Sequence, residues 1–192
     1  MKNTNMKTVL CLLCLVPISN IAAETADDTV ADSDDPNINS AEFRLIKQHL
    51  SGEWVGEVTN GTVEEPGEWR PVQVEYLLTG NGSAIVENYF FGDAETPGMT
   101  TVYHPDGNDL QLTHYCGAQN HPRMKWTAYD KDTRTYGFRF LDITNLQSEA
   151  DYHSRSLDLT LIGDDNIRIA YAGEVSGRTA VQTYNLARKT AD

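Results

Sequence analysis

Residues able to do chemistry recur at strand-like spacing in the middle of the chain. Glu87 is the one acid within AIVENYFF. The stretch LTHYCGAQNHPRM, residues 112–124, sets His114 and Cys116 two apart and then supplies Asn120, His121 and Arg123. His153 and Arg155 follow in YHSRSLDLTL. On a strand, His114 and Cys116 share a face, about 7 Å apart. Such a pair could offer two ligands to zinc or copper, but a closed site needs four. No Cys-x-x-Cys or His-Glu-x-x-His pattern supplies the others, so no metal is expected. A nucleophilic Cys116 would need a nearby cation to lower its pKa and a base converging from another element; parallel side chains on one strand do not converge. Glu87 is the better acid/base candidate. A carboxyl group among apolar side chains has a raised pKa and could exchange a proton with His114 or His153. The structural alternative is a satisfied contact with Tyr76 or Arg155 that completes a core. Arg123 follows Pro122 at what reads as a barrel rim. There its guanidinium could grip a ligand carboxylate or phosphate, or simply pair with a surface acid.

The elements that position these residues read as strands. Phe43, Ile46 and Leu50 fall on one helical face, behind a capping box of Asn39 and Glu42. From there the pattern switches to period two. Ten strands are expected, at about 52–59, 71–79, 83–91, 97–104, 109–116, 123–130, 135–142, 153–161, 166–174 and 178–188. Asn81-Gly82 and Asp106-Gly107 suit two-residue hairpin turns. Many short sequential antiparallel strands predict an all-β fold: a ten-stranded up-and-down β-barrel with a short N-terminal helix.

With those turns, Tyr76 faces Glu87, and Met99, Thr101 and Tyr103 share an inner face with Leu112, His114 and Cys116. In that second hairpin, Tyr103 is expected opposite Leu110 and Thr101 opposite Leu112. Leu78 is expected inside, as are Trp126 and Met124. Leu157, Leu159 and Leu161 set another inner face, which period two carries back to Arg155 and His153. The expected ligand-binding set is therefore Tyr76, Glu87, Tyr103, His114, Cys116, Arg123, Trp126, His153 and Arg155. Apolar walls with sparse polar groups describe a small-molecule site.

Residues 1–23 read as a signal peptide: Lys2 and Lys7, an apolar stretch, then Ala22-Ala23. Export to the periplasm or the medium is expected, with no integral membrane segment in the mature chain. Residues 24–39 read as a disordered acidic leader and 40–192 as the barrel domain. Cys11 and Cys14 would leave with the signal, so Cys116 would stand alone. From residue 43 onward, 21 acids against 13 bases give a net charge of −8. That acidity argues against nucleic acid as a partner.

Gly52-x-Trp54 opens the first strand just after a short helix, and Arg188 closes the last in YNLAR. This arrangement resembles the calycin superfamily, the lipocalin and fatty-acid-binding barrels. The run MTTVYHPDGNDLQLTHYCGAQNHPRM is similar to one found in secreted bacterial lipocalin-like proteins of unassigned function. The resemblance implies a barrel that holds a small hydrophobic or amphipathic ligand, with Arg188 over the Trp54 indole. Nitrobindin-like haem barrels of that group hold iron through a histidine near the final strand. RTAVQTYNLAR has none, and no cofactor is expected. The function expected is ligand binding in the barrel interior. The alternative is an isomerase, lyase or hydrolase using Glu87 with His114 or His153.

Overall fold

The computed structural model describes residues 41–62, 65–175 and 178–190. The proposed signal peptide, the acidic leader and Asn39 of the capping box lie outside them. One helix, α1 (Ala41–Leu50), precedes ten strands. These are β1 (Gly52–Gly61), β2 (Arg70–Thr79), β3 (Ala84–Phe91), β4 (Met99–Asp106), β5 (Asp109–Tyr115), β6 (His121–Asp130), β7 (Thr135–Thr144), β8 (His153–Ile162), β9 (Asn166–Val175) and β10 (Arg178–Arg188). Each strand pairs antiparallel with its neighbours in sequence, and β1 pairs with β10, closing an up-and-down barrel. Closure leaves no long unpaired edge.

Alternation along the strands buries one face. Val72, Val74 and Tyr76 of β2 are buried, as are Ile85, Glu87 and Tyr89 of β3. On β8 and β9, Leu157, Leu159, Ile167, Ile169 and Tyr171 do the same. Helix α1 turns Phe43, Ile46 and Leu50 into the barrel end. Its last carbonyls, which no helical N–H can reach, find other donors. Trp54 Nε1 donates to Leu50 O at 2.8 Å, and Arg188 donates to His49 O at 2.7 Å and Ser51 O at 2.9 Å. The Arg188 guanidinium also stacks 4.3 Å from the Trp54 ring centroid. One plug therefore seals this end, with a cation beside the negative end of the helix dipole.

The first hairpin turns on Asn81 and Gly82, at φ 56° and 83°, with Ser83 N donating to Gly80 O at 3.2 Å. Tyr76 stands opposite Glu87, as the sequence predicts. The second hairpin differs. Asp106 pairs with Asp109, so Gly107 (φ 60°) and Asn108 are the central residues. Glycine first suits the type II′ turn, whereas Asp106 would be strained there. The register moves by two residues relative to expectation. Inward faces are kept, but Thr101 now faces His114 and Tyr103 faces Leu112. Leu78 shares the inward parity of Tyr76 yet is 50% exposed, because it stands at the strand end beyond the packed interior.

Candidate functional site

A polar belt crosses the barrel interior. Tyr76, Glu87, Thr101 and His114 are direct partners across β2, β3, β4 and β5. All four are buried. Tyr76 Oη donates a very short hydrogen bond to Glu87 Oε1, and Tyr103 Oη donates to Oε2 at 3.0 Å. Tyr171, reaching from β9, contacts Oε2 at 3.4 Å and Thr101 Oγ1 at 2.8 Å. Thr101 Oγ1 in turn lies 2.9 Å from His114 Nδ1. Tyr89 Oη donates to Tyr171 Oη at 3.3 Å. A chain of hydroxyls therefore joins the carboxyl group to the imidazole.

Burial sets the protonation states along this chain. Desolvation raises the Glu87 pKa, while the hydrogen bonds from Tyr76, Tyr89, Tyr103 and Thr101 pull it back part of the way. Desolvation alone lowers His114 to about 3, so its ring is neutral near pH 7. Tyr76, Tyr89, Tyr103 and Tyr171 are all pushed well above the usual phenol range, chiefly by burial and then by the Glu87 charge.

The open end, opposite α1, is different. A cavity of about 310 Å³ has Met99, Cys116, Gly117, Tyr152, Val181 and Gln182 among its walls. A second, of about 590 Å³, runs between Arg70, Phe91, Met99, Gly117 and Gln182. Met99, Gly117 and Gln182 belong to both, so the two adjoin at one mouth. Both fall in the size range of small-ligand sites. Tyr76, Glu87, Tyr103 and His114 are in the walls of neither.

No family model matches the chain, and no curated protein matches it. Among solved structures, it is similar to a protein of unknown function of the DUF3598 family from Nostoc punctiforme. Identity is 13%, over 74% of this chain and 48% of that one, with a TM-score of 0.49. It is also similar to Rv2717c from M. tuberculosis, at 12% identity over 79% of this chain and 100% of that one, with a TM-score of 0.49. The chain spans about half the length of the first of these.

Of the residues singled out in the sequence, Tyr76, Glu87, Tyr103 and His114 meet in the belt. Cys116 is half-buried in the mouth, where Ala118 N donates to its Sγ at 3.4 Å. Burial raises its thiol pKa, so it is a poor nucleophile. Trp126 is half-buried against the core. His153 is buried away from Glu87: its Nδ1 meets Asp151 O at 3.0 Å and its Nε2 meets Arg155 at 3.4 Å.

Two placements are corrected. Arg155 is the extra residue of a β-bulge, where Ser154 pairs with Gly173 and Ser156 with Ala172. The bulge breaks the alternation. Buried Ser154 takes the inward position, and Arg155 is exposed, stacked 4.2 Å from the Phe140 ring centroid. Arg123 is exposed on β6 and is held by both oxygens of Asp142, with Nε to Oδ1 at 2.6 Å. Its guanidinium fork is already filled by the surface acid.

Tyr171, Tyr152 and Tyr184 were not singled out. Period two through IRIAYAG and TYNL would have turned Tyr171 and Tyr184 inward. Nothing local marks Tyr152, which reaches the mouth from the loop before β8. Among the described residues, no three His, Cys, Asp or Glu side chains converge as metal ligands. No helix among them is long and apolar enough to cross a membrane.

Proposed function

We propose that the protein is an exported, calycin-like barrel that binds a small apolar or amphipathic molecule at its open mouth. The pair of adjoining mouth cavities carries this reading. Phe91, Met99, Cys116 and Val181 supply apolar surface, with Gln182 and Tyr152 as sparse polar groups. The Trp54–Arg188 plug at the opposite end supports the calycin-like reading, and the signal-like residues 1–23 support export. Binding is preferred over catalysis because both Glu87 oxygens are occupied by buried tyrosines. A ligand in the mouth would meet apolar and polar walls with Arg70 at the edge, rather than a free carboxylate.

The test is a titration of the folded protein with diphenylhexatriene, an apolar probe that fluoresces when shielded from water. Saturable binding at one site is expected. Ala180→Trp, on the inward face of β10 and in the wall of the first cavity, fills the mouth and should abolish it, while Glu87→Gln should leave it intact. Absence of probe binding, together with a native mass spectrum showing no bound small molecule, would sink the reading.

A further inference from the structure

We propose that the Tyr184 hydroxyl anchors an uncharged hydrogen-bonding head group, such as an alcohol or ketone, on the ligand of the mouth. The proposal rests on the ligand-binding reading above and deepens it.

Tyr184 is fully buried, and among the described residues its hydroxyl has no hydrogen-bond partner. The four neighbouring tyrosines of the belt, Tyr76, Tyr89, Tyr103 and Tyr171, all have one. A buried hydroxyl without a partner is costly, so it calls for an explanation. Its place supplies one. Inward residues on a strand recur every second position, and Tyr184 is the next one below Gln182, a wall of both cavities. The charged and polar groups whose fields reach its hydroxyl are Glu87 on the interior side and Tyr152, Cys116 and Arg70 on the mouth side. A second orphan lies nearby. Asn120 is buried, and its Nδ2 donates to Tyr152 O at 2.7 Å while its Oδ1 accepts nothing. Neither residue is itself a cavity wall, but Tyr184 lies one inward position behind Gln182 and Asn120 is bonded to Tyr152, so one unmatched hydroxyl and one unmatched acceptor stand directly behind the walls of the mouth.

The head group should be uncharged because its surroundings are. Burial keeps Cys116, Tyr152 and Tyr184 protonated. Among the described residues, Arg70 is the one charged residue in the walls of the two cavities, and it is exposed at the start of β2. A carboxylate lodged at Tyr184 would lose its hydration without gaining a buried counter-ion.

The experiment competes 1-decanol, 2-decanone and decanoic acid against diphenylhexatriene on the native protein and on Tyr184→Phe. At pH 7.5 the alcohol and ketone should bind more tightly than decanoate. In the variant their affinity should fall roughly 3- to 10-fold, the worth of one hydrogen bond. Diphenylhexatriene affinity should not move. The variant's Tm without ligand should rise, because the orphan hydroxyl is gone. If the probe binds but decanol affinity is the same in the variant, the proposal is overturned. Tighter binding of decanoate overturns it too. So does a lower variant Tm, which would mean that the hydroxyl is already satisfied in the free protein. If the probe itself fails to bind, the ligand-binding reading falls first and takes this one with it.

Discussion

The belt around Glu87 and the mouth around Tyr184 are made of the same materials. Both gather tyrosines and titratable side chains toward the barrel interior, the belt from strands alone and the mouth from strand ends and loops. They differ in how the polar atoms are matched. In the belt, Tyr76, Tyr103 and Tyr171 surround the two Glu87 oxygens, and Thr101 links Tyr171 to His114. Just behind the mouth, Tyr184 Oη and Asn120 Oδ1 have no partner among the described residues, and the cavity walls Gln182 and Tyr152 lie next to them in the structure. Burial and residue type therefore do not separate the two regions; hydrogen-bond matching combined with nearness to a cavity does, since Trp126 Nε1 is unmatched too but lines neither cavity. A fully matched buried network specifies a fold, whereas an unmatched group beside a cavity awaits a ligand.

If the belt is structural, breaking it should cost far more than any change at the rim. Glu87→Ala leaves Tyr76 and Tyr103 without their acceptor and opens a cavity. A loss of roughly 3–5 kcal/mol is expected, a large share of a single domain's stability. Glu87→Gln keeps a carbonyl acceptor and should lose only about 1 kcal/mol. Chemical denaturation at pH 7 measures both. Equal losses would show that shape, rather than matching, is what the belt needs.

Acid should break the belt through His114. Its folded pKa is about 3, far below the ordinary value near 6.5, so the unfolded chain binds the proton more readily. Stability from this group is complete above about pH 6.5 and is lost as pH falls toward 3. The loss should be on the order of 4 kcal/mol. Glu87 works in the opposite sense. Its folded pKa is raised, so stability drains away as pH climbs from the ordinary carboxyl range toward that raised value. The two slopes oppose each other in mildly acidic solution; below it, of these two groups, His114 governs. Denaturation midpoints between pH 3 and 8 should fall with acid in the native protein and flatten in His114→Gln. A parallel fall in the variant would assign acid sensitivity to other groups.

The sequence carried most of the belt but little of the mouth, for physical reasons. Period two follows from strand geometry, so alternation located all ten strands and the inward faces of Tyr76, Glu87, Thr101, Tyr103 and His114. It could not decide which inward residues touch. The β4–β5 turn centred on Gly107-Asn108 keeps every face while changing the partner of Thr101 from the expected Leu112 to His114. The Tyr171–Glu87 contact spans 84 positions and depends on barrel closure, which no local pattern encodes. The Arg155 bulge inserts one residue without a glycine or proline to announce it, and period two then fails for the residues before it. The inward face of Cys116 was legible, but its place at the mouth and the unmatched Tyr184 hydroxyl were not, because both are properties of neighbours.

The smallest expected effect sharpens the comparison from the other side. Arg123 lies in the segment that first suggests chemistry, beside His114 and Cys116 in sequence. Its side chain is 47% exposed and is paired with Asp142 on the outer wall. Exposed ion pairs contribute little, since solvent screens the attraction and two long side chains must be held still. Arg123→Ala should leave both Tm and diphenylhexatriene affinity unchanged within error, in low salt and in high. Tyr184→Phe, a smaller change at a residue about sixty positions from that segment in sequence, should alter decanol binding. A loss of ligand affinity in Arg123→Ala would move the site toward the outer face of β6, and the unmatched hydroxyl would no longer mark where the ligand binds.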